Sequence, residues 1–350
     1  MAVANPEVVR LSDLKHGQEA VCFAALVKKE RNVDKHDKPY VKCTFRDKRQ
    51  VVVAPFWASN SMREVAETWT EGMAYRLVVR GTWNVRYGMQ VEVFEARPAN
   101  DEDDAADGYS FHDLVEGTDR DPEDLWRRLH DCIEKSIDDP KLKQLVLTLL
   151  DDNAALFKKM PAATNFHHGY TGGLLEHVWS MTRIAVFASK HYAEYYWRLN
   201  PPLNKCVVVA ATVLHDIGKL RELDYHPVEA KYTTPGCLIG HVLIGRDMVR
   251  DAAKAIDGFD PETLLLLEHA ILAHHGRREY GAPVLPQTME ALMVSFIDDL
   301  DAKMNIAARG RLLCHTDGEF TDKVYALDNR RFYKGVPTAP PDDDADADVP

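Results

Sequence analysis

The chain has 350 residues, 45% of them hydrophobic and 28% charged, and a formal net charge of −12. That length suffices for two cores, and the composition is that of a globular rather than a disordered or fibrous protein. No apolar run approaches the ~20 residues that span a bilayer, so a membrane partner is not expected.

The first residues lack a signal-peptide pattern. The six cysteines show no C-x-x-C spacing, which argues against a zinc ribbon or a disulfide scaffold and for a cytoplasmic location. Charge is unevenly placed. Residues 1–98 carry sixteen Lys and Arg against twelve Asp and Glu, a net +4, which leaves −16 for the remainder.

From residue 9 to 96 the signals are those of strands. Segments 20–27, 40–45, 50–53, 75–81 and 89–94 are rich in β-formers, and one helix is expected over 61–70. Five strands with a helix after the third is the order of an OB-fold barrel, assigned here to residues 1–97. Such a barrel can bind single strands if cations meet phosphates and flat rings meet bases. Lys42, Arg46, Trp57, Trp83 and Tyr87 are the candidates, although most aromatics of a small barrel are equally suited to its core.

Residues 98–120 read as a flexible acidic linker around Asp101-Glu-Asp-Asp104. From 121 to about 306 the apolar spacing is helical throughout, with segments at 122–137, 141–157, 174–188, 203–214, 240–256, 261–273 and 287–306. A weaker segment extends to 334, and the acidic tail 336–350 is expected to be disordered. No Gly-rich phosphate loop and no G-x-S-x-G elbow is present.

The histidines of this helical part recur near helix ends: His177, the pair His215-Asp216 closing the apolar run from Val207, His241, and His274-His275, with Asp298 and Asp299 after them. Neutral imidazole with carboxylate suits Mn²⁺, Fe²⁺, Co²⁺ or Zn²⁺ better than Ca²⁺. Two such ions ~3.5–4 Å apart can activate water and stabilise the leaving oxygen of a phosphodiester. Lys219, one turn past His215, is a point charge for a phosphate. A single His on an apolar helix is more often a satisfied core residue; the recurrence in one helical region favours a metal site.

The pattern His177, His215-Asp216, Asp298 resembles the H…HD…D signature of the HD-domain metal-dependent phosphohydrolases. Three longer strings resemble the YhaM-type 3′-to-5′ exoribonucleases, which join an OB fold to an HD domain. They are Pro161-Ala-Ala leading to His167-His168-Gly-Tyr170-Thr-Gly-Gly-Leu-Leu-Glu-His177, Ala273-His-His-Gly-Arg-Arg-Glu-Tyr-Gly-Ala-Pro283, and Phe296-Ile-Asp-Asp-Leu-Asp-Ala-Lys303. The resemblance covers roughly residues 9–335. It implies a multidomain chain, an N-terminal all-β barrel followed by an all-α HD domain over 121–335.

It also implies two divalent ions, with Mn first among Fe, Co, Mg and Zn. One would be held by His177, His215, Asp216 and Asp298. The other would be held by a bridging Asp216 with His241, His274 and His275. Asp298 is preferred to Asp299 as the last ligand, Asp216 and Lys219 are the catalytic candidates, and Asp301 is a candidate for orienting a ligand. His168, Tyr170, Arg277 and Tyr280 match family segments that could reach the substrate. The sequence departs from the family pattern at Gly169 and at Ser295-Phe296, and neither departure removes a ligand.

The expected activity is therefore 3′-to-5′ trimming of single-stranded RNA, with DNA as an open second substrate, releasing nucleoside 5′-monophosphates. An HD nucleotidase or cyclic-nucleotide phosphodiesterase with a regulatory barrel is the rival enzyme. A non-catalytic RNA-binding protein is the rival outside enzymes. The partners expected are nucleic-acid 3′ ends, with homo-oligomerisation left open.

Overall fold

A computed structural model describes residues 6–84, 88–163, 168–228, 230–314, 316 and 318–336. Tyr87, His167 and the tail beyond 336 lie outside the described residues. Five strands, β1 (Glu19–Val33), β2 (Pro39–Arg46), β3 (Val51–Phe56), β4 (Ala74–Asn84) and β5 (Gly88–Pro98), close a barrel in the order β1-β2-β3-β5-β4. The helix α1 (Arg63–Thr68) lies between β3 and β4, as an OB barrel requires.

Alternation explains the barrel interior. Val41, Cys43 and Phe45 of β2, and Val52, Ala54 and Phe56 of β3, point inward, and the residues between them do not. The first half of β1 is buried on both faces. Ala20, Cys22, Ala24 and Leu26 fill the barrel, while Phe23 and Ala25 meet Ala74, Leu114, Val115 and Val228 outside it.

The acidic stretch after the barrel departs from the flexible linker expected of its composition. Asn100 caps a short helix, α2 (Asp101–Asp104), by accepting from the Asp103 N–H. Asp104 is fully buried and accepts from Nη1 and Nη2 of Arg97, at 2.8 and 2.5 Å. Leu114 and Val115 then pack with Phe23, Ala25 and Ala74 of the barrel and with Val228. Composition made this segment look solvated because its cationic partners come from the barrel.

The remainder is helical: α3 (Pro122–Ser136), α4 (Pro140–Asp151), α5 (Ala154–Phe157), α6 (Gly173–Tyr195), α7 (Lys205–Leu214), α8 (Lys219–Glu222), α9 (Thr234–Ile239), α10 (His241–Lys254), α11 (Pro261–Ala273) and α12 (Met289–Leu312). Two-residue strands β6 (Leu223–Asp224) and β7 (Lys231–Tyr232) pair between α8 and α9; they and α9 carry too little periodicity to be read in sequence. Three helices start on the same device. Asp121, Asp139 and Asp260 each accept a first-turn N–H, and Pro122, Pro140 and Pro261 come next, at a position whose own N–H has no partner in a helix.

Every residue of α7 from Val207 to Leu214 is buried, and α6, α4, α11 and α12 surround it. A helix that is apolar all round can only be stable as the centre of a bundle. Its C-terminal end, at His215 and Asp216, is thereby fixed inside the domain. No helix among the described residues is long and apolar enough to cross a membrane.

Candidate metal centre

Asp216 is the point on which the other groups converge. It is 2% exposed, and its two oxygens face different neighbours. Oδ2 lies 2.6 Å from Lys219 Nζ, 3.2 Å from His215 Nε2 and 3.9 Å from His177 Nε2. Oδ1 lies 3.5 Å from His241 Nε2 and 3.8 Å from His274 Nε2, with no hydrogen bond of its own. Asp298 completes the first side, its Oδ1 3.3 Å from His177 Nε2 and 4.0 Å from His215 Nε2. His275 joins His241 and His274 on the second. Asp299 points away, 46% exposed and paired with Lys303 at 2.6 Å.

The imidazoles are aimed by their other nitrogen. His215 Nδ1 lies 2.8 Å from the Thr212 carbonyl, and His274 Nδ1 lies 2.7 Å from the Ile271 carbonyl, each three residues back. A carbonyl can only accept, so Nδ1 carries the proton and Nε2 presents a lone pair. His177 Nδ1 lies 2.8 Å from Asp301 Oδ2. The same carboxylate accepts from Ser180 at 2.5 Å and meets His168 Nε2 at 3.1 Å. His241 Nδ1 lies 2.9 Å from Glu222 Oε1.

Two glycines permit this crowding. A Cβ on Gly218 would lie 2.0 Å from the His241 carbonyl oxygen, so α10 can approach α8 only over glycine. A Cβ on Gly173 would lie 2.0 Å from the His168 carbonyl oxygen.

Charges respond to the geometry. Burial pushes the Asp216 carboxyl up, but Lys219 and His215 outweigh it and hold it well below the usual carboxylate range. Asp298 behaves likewise, with burial opposed by His177 and His215. Burial disfavours charge on His177 as well, yet Asp298 and Asp301 raise it to about 9. His274 is driven well below its ordinary value by burial and by His275 and His215, and His275 is lowered by burial and by His241.

Buried atoms that lack a hydrogen bond are costly unless something else satisfies them. Here the Nε2 atoms of His215, His241 and His274, the Nδ1 of His275 and the Oδ1 of Asp216 are such atoms, gathered in one place. The donor sets His177–His215–Asp298, His215–Asp216–His274 and His241–His274–His275 each bring their ligand atoms within 4.8 Å of one another. This donor chemistry fits borderline divalent cations.

The remaining candidates from the sequence occupy varied settings. Lys219 is 8% exposed and directs its charge to Asp216. His168 and Tyr170 are turned inward: His168 Nδ1 lies 2.9 Å from the Tyr170 hydroxyl, which donates to Glu176 at 3.0 Å. Tyr280 is 59% exposed, with the Arg277 guanidinium 5.7 Å from its ring centre. On the barrel, Trp83 is 61% exposed and Trp57 46%, the latter tilted against Tyr40 at 4.5 Å between ring centres. Lys42 meets Glu30 at 3.3 Å. Arg46 turns to Glu116 at 3.3 Å, and Arg309 of α12 donates to the same carboxylate. Phe45 and Phe56 are core.

Sequence reading missed Glu222, the group that orients His241. Its only signal is a position one helical turn after Lys219.

Residues 174–303, just over a third of the chain, match the family model described as HD domain, and a TraI_2 helicase model matches 119–220. Among solved structures, a domain of replication protein A from Methanococcus maripaludis is 12% identical, with 27% of this chain and 96% of that one covered at a TM-score of 0.22. An OB domain from Methanosarcina mazei is 18% identical, covering 27% and 85% at 0.21. RecG bound to a three-way DNA junction is 16% identical, covering 29% and 13% at 0.24. At these scores the barrel's assignment rests on its own strand order. The chain thus joins an OB-type barrel to a helical region that matches the HD domain over 174–303. In general terms, that domain supports a metal-dependent phosphohydrolase.

Proposed function

We propose that the protein is a metal-dependent phosphodiesterase that trims single-stranded RNA from its 3′ end, with single-stranded DNA as a second substrate, and releases nucleoside 5′-monophosphates. The observation that carries the reading is the convergence of five imidazoles and Asp298 around Asp216, with the Nε2 lone pairs of His215, His241 and His274 facing its carboxylate.

His177, His215, Asp216 and Asp298 would hold one ion, and Asp216, His241, His274 and His275 a second. Bound divalent ions supply Lewis acidity toward a phosphodiester and lower the pKa of water, with Mn²⁺ the first candidate. The chain's own residues do the rest. Asp216 faces both donor sets, Lys219 brings it a compensating cation, and Asp301 keeps the His177 ring oriented. The exposed Trp57 and Trp83 offer faces on which bases can stack.

A 5′-labelled, 3′-tailed RNA duplex incubated with Mn²⁺ should shorten stepwise along its tail, and Asp216→Ala should abolish the ladder. An intact substrate with the wild-type protein refutes the reading.

One observation favours a second reading. Lys42 and Arg46 are already engaged by Glu30 and Glu116, which weakens the barrel as a strand grip and suits a regulator of an HD nucleotidase or cyclic-nucleotide phosphodiesterase. Turnover of a mononucleotide without shortening of an oligonucleotide would establish that alternative.

A further inference from the structure

Each ring around Asp216 has an orienting partner of different origin. His215 and His274 use carbonyls of their own helices, and His177 uses Asp301 of α12. His241 uses Glu222, whose Oε1 lies 2.9 Å from both the ring Nδ1 and the backbone nitrogen of His241. A carboxylate accepts only, so a neutral ring donates from Nδ1 and its Nε2 lone pair faces Asp216 Oδ1 at 3.5 Å.

Glu222 in turn is held by the chain just beyond it. Its carbonyl accepts from the Thr233 N–H at 2.9 Å, and Gly236 lies so close that a Cβ there would come within 2.2 Å of that oxygen. Between Glu222 and Thr233 runs the hairpin, with Leu223 opposite Tyr232 and Asp224 opposite Lys231.

That hairpin sits on the barrel. The His226 ring covers Gly72, where a Cβ would fall 2.4 Å from Cε1. Val228 is 4% exposed in the cluster containing Phe23, Ala25 and Ala74, and Lys231 Nζ lies 2.8 Å from Glu71 Oε2. Among the described residues, a series of contacts therefore leads from the barrel surface at 71–74 through Lys231, the pairing of β6 with β7 and Glu222 to the ring of His241.

We propose that Glu222 is the positioning residue for the His241–His274–His275 side of the centre, and that the seated barrel, through the paired strands β6 and β7, holds it in place. The barrel then does more than approach the substrate: it sets how tightly one side of the centre holds its ion. This role for Glu222 rests on the metal reading of the centre.

The test is Mn²⁺ titration of the full-length protein by calorimetry, with bound metal counted after dialysis and a thermal melt of each variant. Wild type should bind two ions. Glu222→Ala should keep one at unchanged affinity and hold the other roughly ten- to a hundredfold more weakly, the usual cost of removing an outer-shell partner. Glu222→Gln, whose amide oxygen still accepts from Nδ1, should recover part of the loss, and it carries the test if the alanine variant does not fold.

Val228→Asp, which places a charge in the cluster joining hairpin to barrel, should reproduce the selective loss while the helical domain still melts cooperatively. Wild-type titrations from both Glu222 variants overturn the inference and leave the metal reading intact. A wild-type titration from Val228→Asp overturns the role given to the barrel. A wild-type protein that binds no divalent ion overturns the metal reading and this inference with it.

Discussion

Substituting Gly218 by alanine tests whether the centre depends on the close approach of α10 to the start of α8. The added Cβ would sit 2.0 Å from the His241 carbonyl oxygen and 2.6 Å from the Gly245 nitrogen, where ordinary contact begins near 3.4 Å. Both obstacles are backbone atoms of one helix, so no side chain can rotate away. The helix must retreat by about 1.4 Å, the difference between 3.4 and 2.0 Å. Overpacking of this kind costs about 1–3 kcal/mol. For a helical domain of this size that is a fall in Tm of roughly 2–12 °C.

His241 begins α10, so its ring moves with the helix and its 3.5 Å approach to Asp216 is lost. Metal titration and differential scanning calorimetry together read both effects. Weaker Mn²⁺ binding together with a lowered Tm is expected. A variant that keeps the wild-type Tm and binds metal normally would refute the claim that backbone proximity at Gly218 builds the centre.

Three further expectations concern other parts of the molecule. Asp298→Ala should remove metal-dependent hydrolysis, whereas Asp299→Ala, which loses only an exposed pair with Lys303, should leave both activity and Tm nearly unchanged; the two rates measured side by side decide it. Trp83→Ala should weaken binding of an oligonucleotide while sparing hydrolysis of bis-p-nitrophenyl phosphate, with about 1–3 kcal/mol lost per stacked base, and unchanged fluorescence-anisotropy titrations would count against a stacking role. Phe45→Ala should instead cost about 3–5 kcal/mol of barrel stability, because the ring is fully buried against Trp69 and Tyr75, and urea melts would register it.

Periodicity made the helical domain and the barrel legible, because burial on one face or on both leaves a pattern of 3.6 or 2 in the chain. The apolar run ending at His215-Asp216 could be read as a core helix delivering polar groups to an interior, and the fold places it there. Asp298 and Asp299 could not be separated by chemistry, since adjacent residues of one helix differ only in direction. The orientation of α12 decides between them: Asp298 lies among the imidazoles and Asp299 in solvent.

Partners distant in sequence were not legible. Arg46 has the composition of a strand-binding residue, yet Glu116, seventy positions on, claims it. Asp104 looked like part of a solvated acidic run until Arg97 and Arg76 of the barrel closed over it. Glu222 shows no motif at all, because its importance comes from facing His241 across a turn that only the folded hairpin creates.

What the sequence by itself determined was the list of groups: a helical region whose His and Asp residues stand at helix ends, behind a five-stranded barrel. Local spacing carries that information, since it depends on interactions within a few residues. Which oxygen of Asp216 faces which imidazoles, and which carboxylates aim His177 and His241, were decided by the tertiary structure. Those properties depend on distances of about 3 Å between segments from 19 to 124 residues apart, set by the packing of α6, α8, α10, α11 and α12 around the buried end of α7.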